Sequence, residues 1–114
     1  MSTRDTVILV TNNGMGNGPQ DLQQTLIAKY FELLNLQDDL PAVICFYTEG
    51  VRLVTEGSPV IEKLRALEEK GVRLIVCSTC LNYFGLIEKI KIGIVGGMGD
   101  ILAAQWQAAK VITL

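Results

Sequence analysis

Short runs of mostly apolar residues, without polar alternation, constrain the fold of this chain more than any other feature of its sequence. Three such runs, 6–11, 42–47 and 72–76, are rich in valine and isoleucine. A strand that is apolar on both faces has to be covered on both, and parallel sheets flanked by helices provide that cover. The runs therefore predict the central strands of a parallel sheet.

Segments with helical periodicity lie between these runs. Apolar residues recur at helical spacing in 22–36 and again in 61–67. Ser58 and Pro59 are typical of an N-cap and a first helical residue, and Gly71 is typical of a left-handed helix end. Each apolar run is therefore expected to be followed by a helix.

The remaining third of the chain continues the alternation. A short helix is expected from near Thr79, a fourth strand at 92–95 and a last strand at 111–114. Between these two strands, a helix is expected to pack through a stripe of small and apolar residues, Leu102, Ala103, Trp106 and Ala109. Alternating strands and helices predict one α/β domain over residues 1–114, with three α/β/α layers and a mainly parallel sheet.

Composition excludes several classes of protein. The chain has 114 residues, 49% of them hydrophobic, and a formal net charge of −2, which argues against disorder and against a nucleic-acid partner bound through its phosphates. Its longest apolar run, 42–47, is far shorter than the roughly 20 residues of a membrane span, so no membrane partner is expected. Nothing at the start resembles a signal peptide, and a cytoplasmic location is expected.

The sequence contains no histidine and three cysteines. Ser–His and Cys–His nucleophile pairs, histidine-ligated metals and imidazole acid–base catalysis are therefore excluded. Three cysteines cannot form a four-cysteine zinc site within one chain, so no metal and no cofactor is expected. Chemistry is left to thiols, carboxylates, Lys or Arg, or backbone amides.

Cys77 and Cys80 are the strongest candidates for catalysis. They enclose Ser78 and Thr79 at the predicted junction between the third strand and the next helix. Backbone N–H groups and the positive end of a helix dipole would there favour the thiolate, the nucleophilic form of cysteine. The alternative is that both are small buried hydrophobic residues, as cysteine often is, and Cys45 is expected to be of this kind.

A glycine-rich loop after the first strand contains two candidate anion-binding residues, Gly14 and Gly16. Its spacing lacks the third glycine of a dinucleotide fingerprint, because position 19 is proline. A tight strand-to-helix turn is one explanation of the loop. A backbone site for a small oxyanion is the other.

Glu49, Gly50 and Arg52 follow the second strand, at the same expected sheet edge as Cys77. A carboxylate there would take a proton from a thiol or hydropersulfide, and an arginine would hold an anionic sulfur species. The simpler alternative is that both charges only solvate a loop. If they act, Cys77 and the loop around Glu49 should border one cleft.

The expected loop 48–57 also contains three apolar residues, Val51, Leu53 and Val54. Soluble monomers seldom expose large apolar patches. The loop is therefore expected to contact another subunit.

Several segments, taken in order, resemble the DsrE/DsrF-like sulfur-relay family, and within it the C-terminal domain of YedF-type proteins, which are linked by name to selenium metabolism. The segments are 72–77, Gly85, and the closing 110–114, together with the first strand and glycine loop, 46–54, Ser58 and 77–81. Their order and spacing cover nearly the whole chain.

The resemblance implies a five-stranded parallel sheet between helices, assembled into homo-trimers or homo-hexamers. It places the relay cysteine, which carries a persulfide in sulfur-transferring members, on Cys77, and the second cysteine of the YedF-like subgroup on Cys80. YedF-type proteins also have an N-terminal TusA-like domain that this sequence does not contain. Sulfur donor and acceptor proteins, such as a TusA-like carrier, are therefore the expected partners.

Three hypotheses about function follow. In the first, the chain is a sulfurtransferase-like carrier in which Cys77 accepts sulfane sulfur and Cys80 assists release as a disulfide partner. In the second, Cys77 and Cys80 cycle between thiols and disulfide as a redox protein. In the third, the chain is an oligomeric module that is not an enzyme and binds an anion or a partner through the glycine loop and the Gly50 region.

Overall fold

Five parallel strands form the centre of the protein. The structure, a computed structural model, describes residues 5–114. The strands are β1 (Thr6–Val10), β2 (Val43–Phe46), β3 (Arg73–Cys77), β4 (Ile94–Gly96) and β5 (Lys110–Thr113). They are arranged in the order β4-β3-β2-β1-β5, and every neighbouring pair is parallel. The predicted five-stranded α/β sheet is confirmed.

Four α-helices connect the strands. They are α1 (Gln20–Leu34), α2 (Ile61–Glu69), α3 (Ser78–Tyr83) and α4 (Met98–Gln107). Short 3₁₀ helices span Thr48–Val54, called the 48–54 segment below, and Ile87–Lys89. The predicted alternation of strands and helices is therefore present along the described chain.

The helices cover both faces of the sheet. Tyr30 of α1 lines a cavity together with Ile8, whereas Ala104 of α4 lines another together with Val7. Neighbouring residues of a strand point to opposite faces, so α1 and α4 lie on opposite sides. α2 contacts α1 and therefore lies on its side of the sheet. This arrangement is the predicted three-layer α/β/α architecture.

The core lies in β1, β2 and β3, the three inner strands. All five residues of β1 and all four of β2 are buried, which agrees with their uninterrupted apolar runs. Cys45 in the middle of β2 is fully buried, as expected for a core residue. Phe31 of α1 and Leu64 of α2 close the core from one side.

The expectation of a subunit contact through the loop after β2 is wrong. That stretch is the 48–54 segment, and its Val51, Leu53 and Val54 are fully buried in the core of the same chain. The segment passes beneath the carboxyl end of β1, where Tyr47 N–H donates to the carbonyl of Val10 at 3.1 Å. These three apolar side chains are therefore not exposed and cannot form the expected contact with another subunit.

Two helix details also differ from expectation. α2 begins at Ile61 instead of Pro59, and Ser58 Oγ accepts a hydrogen bond from Val60 N–H at 3.2 Å just before it. In α4 the expected packing stripe points outward, with Trp106 81% exposed. The helix packs on the core through Ile101, which is buried, and through the partly buried Ala104, as does Ala108 just after its end.

The helices of residues 5–114 include none with the length and apolar character needed to cross a membrane.

Candidate functional site

The carboxyl ends of β1, β2 and β3 lie side by side and carry the candidate residues. Val10 pairs with Phe46, and Phe46 pairs with Val76, so the three strands end at one edge. The glycine loop, the 48–54 segment and α3 follow these ends. Ligand sites of parallel α/β sheets form at this edge, because the connecting loops meet there.

Cys77 and Cys80 take the positions expected of them in the chain. Cys77 is the last residue of β3, α3 begins at Ser78, and Cys80 lies in its first turn. All three cysteines are free thiols. The two candidate thiols differ in access, since Cys77 is 1% exposed and belongs to the core, whereas Cys80 is half-buried. Solvent therefore reaches the site at Cys80.

Thr48 donates its backbone N–H to the Cys80 sulfur at 3.0 Å. Its φ of 51° makes it the one residue other than glycine with positive φ within residues 5–114. A β-branched residue in this region is strained, at a cost of about 1–3 kcal/mol. This conformation turns the chain from β2 into the 48–54 segment and directs the Thr48 N–H toward α3.

Burial dominates the acidity of Cys80. It raises the pKa of the Cys80 thiol above its ordinary value, while the Thr48 N–H opposes the increase by stabilising the thiolate. The Cys77 thiol raises the pKa further, through a side-chain hydrogen bond and charge repulsion. Of the effects expected to favour the thiolate, a backbone amide does act on Cys80, but burial outweighs it.

Glu49, Arg52 and Phe84 form a second cluster beside the thiols. Arg52 Nε donates to Glu49 Oε2 at 2.6 Å, and the guanidinium lies 4.5 Å from the centre of the Phe84 ring. Phe84 follows Cys80 by one helical turn and donates its N–H to the Cys80 carbonyl at 3.1 Å. The cluster thus places one cation, the Arg52 guanidinium, on the same side of α3 as Cys80. Glu49 is its ion-pair partner.

Two adjoining polar clefts open next to Arg52. Their volumes are about 430 and 390 Å³, and both are lined by Asn13, Gln20 and Arg52. Glu49 lines the larger one, whereas Cys77 and Cys80 line neither. The structure therefore brings Glu49 and Arg52 to a cleft, but it does not bring Cys77 to the same one.

The glycine loop holds itself together through its own polar groups. The Gly16 carbonyl accepts hydrogen bonds from Asn12 Nδ2 at 2.8 Å and from Gln23 Nε2 at 2.7 Å. Gly14 has a φ of 146° and is buried so tightly that a Cβ would lie 2.5 Å from Gln23 Cβ. Both glycines therefore have a conformational or packing role in the turn. The clefts are lined instead by the neighbouring amide side chains, which the sequence analysis did not select.

Gly50 also has a packing role. A Cβ on it would collide with the carbonyl oxygen of Val10, because the 48–54 segment crosses the end of β1 in close contact. Its N–H donates to the Tyr47 carbonyl at 3.0 Å.

The sequence analysis missed Thr48 and Phe84. Thr48 directly follows the predicted second strand, where a sheet-edge residue is to be expected, but nothing local marks a threonine for positive φ. Phe84 carries only its spacing of four residues from Cys80 as a signal. Within residues 5–114, no group of three or more Cys, Asp or Glu side chains is placed to hold a metal ion.

Comparison with known proteins places the chain in a family. The model of the DsrE/DsrF-like family matches residues 9–114, nearly the whole sequence. The chain belongs to the DsrE/DsrF-like family. Among curated proteins, none matches this DsrE/DsrF-like sequence significantly.

Solved structures share the fold of this DsrE/DsrF-like chain. MTH1491 from Methanobacterium thermoautotrophicum, a protein of unknown function, is 19% identical with a TM-score of 0.68 over 96% of this chain and 97% of that one. The ychN protein from E. coli is 19% identical, with a TM-score of 0.63 and complete coverage of both chains. BT1422 from Bacteroides thetaiotaomicron, also of unknown function, is 19% identical with a TM-score of 0.65 over 100% and 98%.

Proposed function

We propose that this DsrE/DsrF-like protein is a sulfur relay in which Cys77 and Cys80 together carry the sulfur. The observation that supports it best is the placement of two cysteines three residues apart where β3 ends and α3 begins, with Cys80 half-buried and its sulfur accepting the Thr48 N–H. Membership of a sulfur-relay family agrees with this chemistry. The donor and the acceptor are then proteins with persulfide or thiol groups, of which a TusA-like carrier is one example.

Arg52 is the residue we propose for holding an anionic sulfur species. Its Nε donates to Glu49, and its side chain lines both clefts. Glu49 then fixes the arginine by a charge-assisted hydrogen bond. In this arrangement the carboxylate is a positioning group, and its earlier assignment as a proton acceptor has less support.

The relay is tested by exposing the protein to glutathione persulfide and measuring intact mass. Loading adds about 32 Da, the mass of one sulfur atom. The double variant Cys77→Ser/Cys80→Ser is expected to remain unmodified, and the Cys45→Ser variant is the matched control that is expected to react as wild type does. An unmodified wild type, with sulfide release also absent, contradicts the relay.

A dithiol redox function is the second candidate, and the same placement of Cys77 and Cys80 at the junction of β3 and α3 favours it. Its test is the reduction potential of the pair, measured against glutathione buffers. A value far below the cytosolic range makes the disulfide permanent and rules out cycling. The third hypothesis, an anion-binding module built on Gly14, Gly16 and Gly50, has less support because these glycines have conformational or packing roles.

We also propose that the protein is a homo-trimer or homo-hexamer in the cytoplasm. Two exposed apolar stripes support subunit contacts: Leu22, Leu26 and Leu33 on α1, and Met98, Leu102 and Trp106 on α4. Soluble monomers seldom leave such surfaces uncovered. The reducing cytoplasm would keep the cysteines as the free thiols that the relay needs.

Light scattering tests the oligomer. The expected mass is three or six times the 12.5 kDa of the chain. Leu102→Asp and Leu26→Asp test the two stripes separately, since each places a charge on one of them. A monomeric wild type contradicts the proposal.

A further inference from the structure

The two thiols of the pair differ in how an incoming sulfur compound can reach them. Cys77 is 1% exposed and packed in the core, whereas Cys80 is half-buried at its edge. Sulfur transfer requires the attacking sulfur to approach the donor persulfide in line with its S–S bond. A donor as large as a peptide or a protein therefore meets Cys80 first.

The Cys80 sulfur also has the contact that a charged sulfur needs. The Thr48 N–H points at it from 3.0 Å, so negative charge on this atom is stabilised without any movement of the backbone. Within the described residues the hydrogen bonds include no such backbone donor to Cys77.

From this difference we infer that Cys80 is the thiol that first accepts sulfane sulfur, and that the buried Cys77 is the resolving thiol that displaces it. The inference rests on the proposed relay and reverses the order that the family resemblance implies for the two cysteines.

The reaction balances in two steps. The Cys80 thiolate attacks the outer sulfur of a donor R–S–SH, so that a bond forms to that sulfur and the donor S–S bond breaks. The electron pair leaves with the donor thiolate. The Cys77 thiolate then attacks the Cys80 sulfur, forms the Cys77–Cys80 disulfide and expels hydrosulfide. A dithiol reductant returns the disulfide to two thiols and becomes a disulfide itself.

An acceptor thiolate that arrives before the second step takes the outer sulfur instead. Cys77 competes with the acceptor for the Cys80 persulfide. It therefore determines whether the sulfur is transferred to the acceptor or released as hydrosulfide. This competition predicts that a protein without Cys77 keeps its persulfide longer than the wild type does.

Single variants treated with glutathione persulfide separate the roles. Cys77→Ser is expected to accumulate a stable adduct of about 32 Da on Cys80 and to release no hydrosulfide. Wild type is expected to release one hydrosulfide per chain and to lose about 2 Da as the disulfide forms. Cys80→Ser is expected to load on the order of 100-fold more slowly, because the serine cannot form a persulfide and the only remaining thiol of the pair, Cys77, is buried.

A second variant, Cys77→Ala, guards against a folding defect from a hydroxyl in the core, and circular dichroism verifies that each variant is folded. If Cys80→Ser loads as fast as wild type while the Cys77 variants do not load, the order is reversed and the inference is overturned, although the relay stands. If wild type neither loads nor releases hydrosulfide, the relay itself fails.

Discussion

Cys45 and Cys80 have the same side chain but different surroundings within this fold. Cys45 lies in the middle of β2 and is fully buried, and burial raises its pKa to about 11 despite the opposing charge of Arg73. Burial also raises the pKa of Cys80, but there a backbone N–H acts in the opposite direction and the residue is only half-buried. Partial exposure and a backbone hydrogen-bond donor therefore distinguish Cys80 from Cys45, although burial raises the pKa of both thiols.

The largest expected effect is on alkylation by iodoacetamide under native conditions. Cys80 should react directly, whereas Cys45 should react only through unfolding. A domain with ordinary stability is unfolded less than about one part in a thousand of the time, so Cys45 should react at least about 1,000-fold more slowly. Peptide mass spectrometry over a time course measures both rates, and similar rates would remove the contrast.

Stability should separate the two positions next. Cys45→Ser places a hydroxyl in the apolar centre of the sheet and should lower the free energy of unfolding by about 2 kcal/mol. Cys80→Ser, at a half-exposed position, should change it by less than about 0.5 kcal/mol. Urea denaturation of both variants measures the difference. An equal loss at both positions would show that Cys80 is also a core residue.

The fold was predictable because its signals are local. Apolar runs such as 42–47 and the left-handed glycine at position 71, whose φ is 99°, mark elements within a few residues. The burial of the 48–54 segment was not predictable, because its apolar residues follow neither strand nor helix periodicity. The residues that cover them come from other parts of the chain. Thr48 and Cys80 are 32 residues apart in the sequence, so no local pattern around either residue predicts their hydrogen bond.

A smaller effect is expected from relieving the strain at Thr48. Thr48→Gly retains the N–H that reaches Cys80 and removes the cost of a β-branched residue at positive φ, so the free energy of unfolding should rise by about 1 kcal/mol. The thermal midpoint should rise by about 4 °C. Thr25→Gly, in the exposed part of α1, is the matched control and should lower stability slightly. A loss of stability in Thr48→Gly would contradict strain at this residue.

The smallest expected effect concerns the acidity of Cys80. Because Cys77 raises the pKa of Cys80, Cys77→Ala should lower that pKa and increase the thiolate fraction at any pH below it. The alkylation rate of Cys80 should then reach its half-maximum at lower pH than in wild type. Cys45→Ser should leave the profile unchanged. A shift to higher pH in Cys77→Ala would mean that the neighbouring thiol stabilises the Cys80 anion.

The collision that any side chain at position 50 would suffer with β1 has a consequence for mutational tolerance. Gly50 has no side chain, yet its close approach to Val10 sets how closely the segment that begins at Thr48 can lie to the sheet. Gly50→Ala would push that segment away from Val10 and carry the Thr48 amide out of reach of Cys80. The hydrogen bond to the Cys80 sulfur therefore depends on a residue that has no reactive group itself. We expect substitutions of Gly50 to change the reactivity of Cys80.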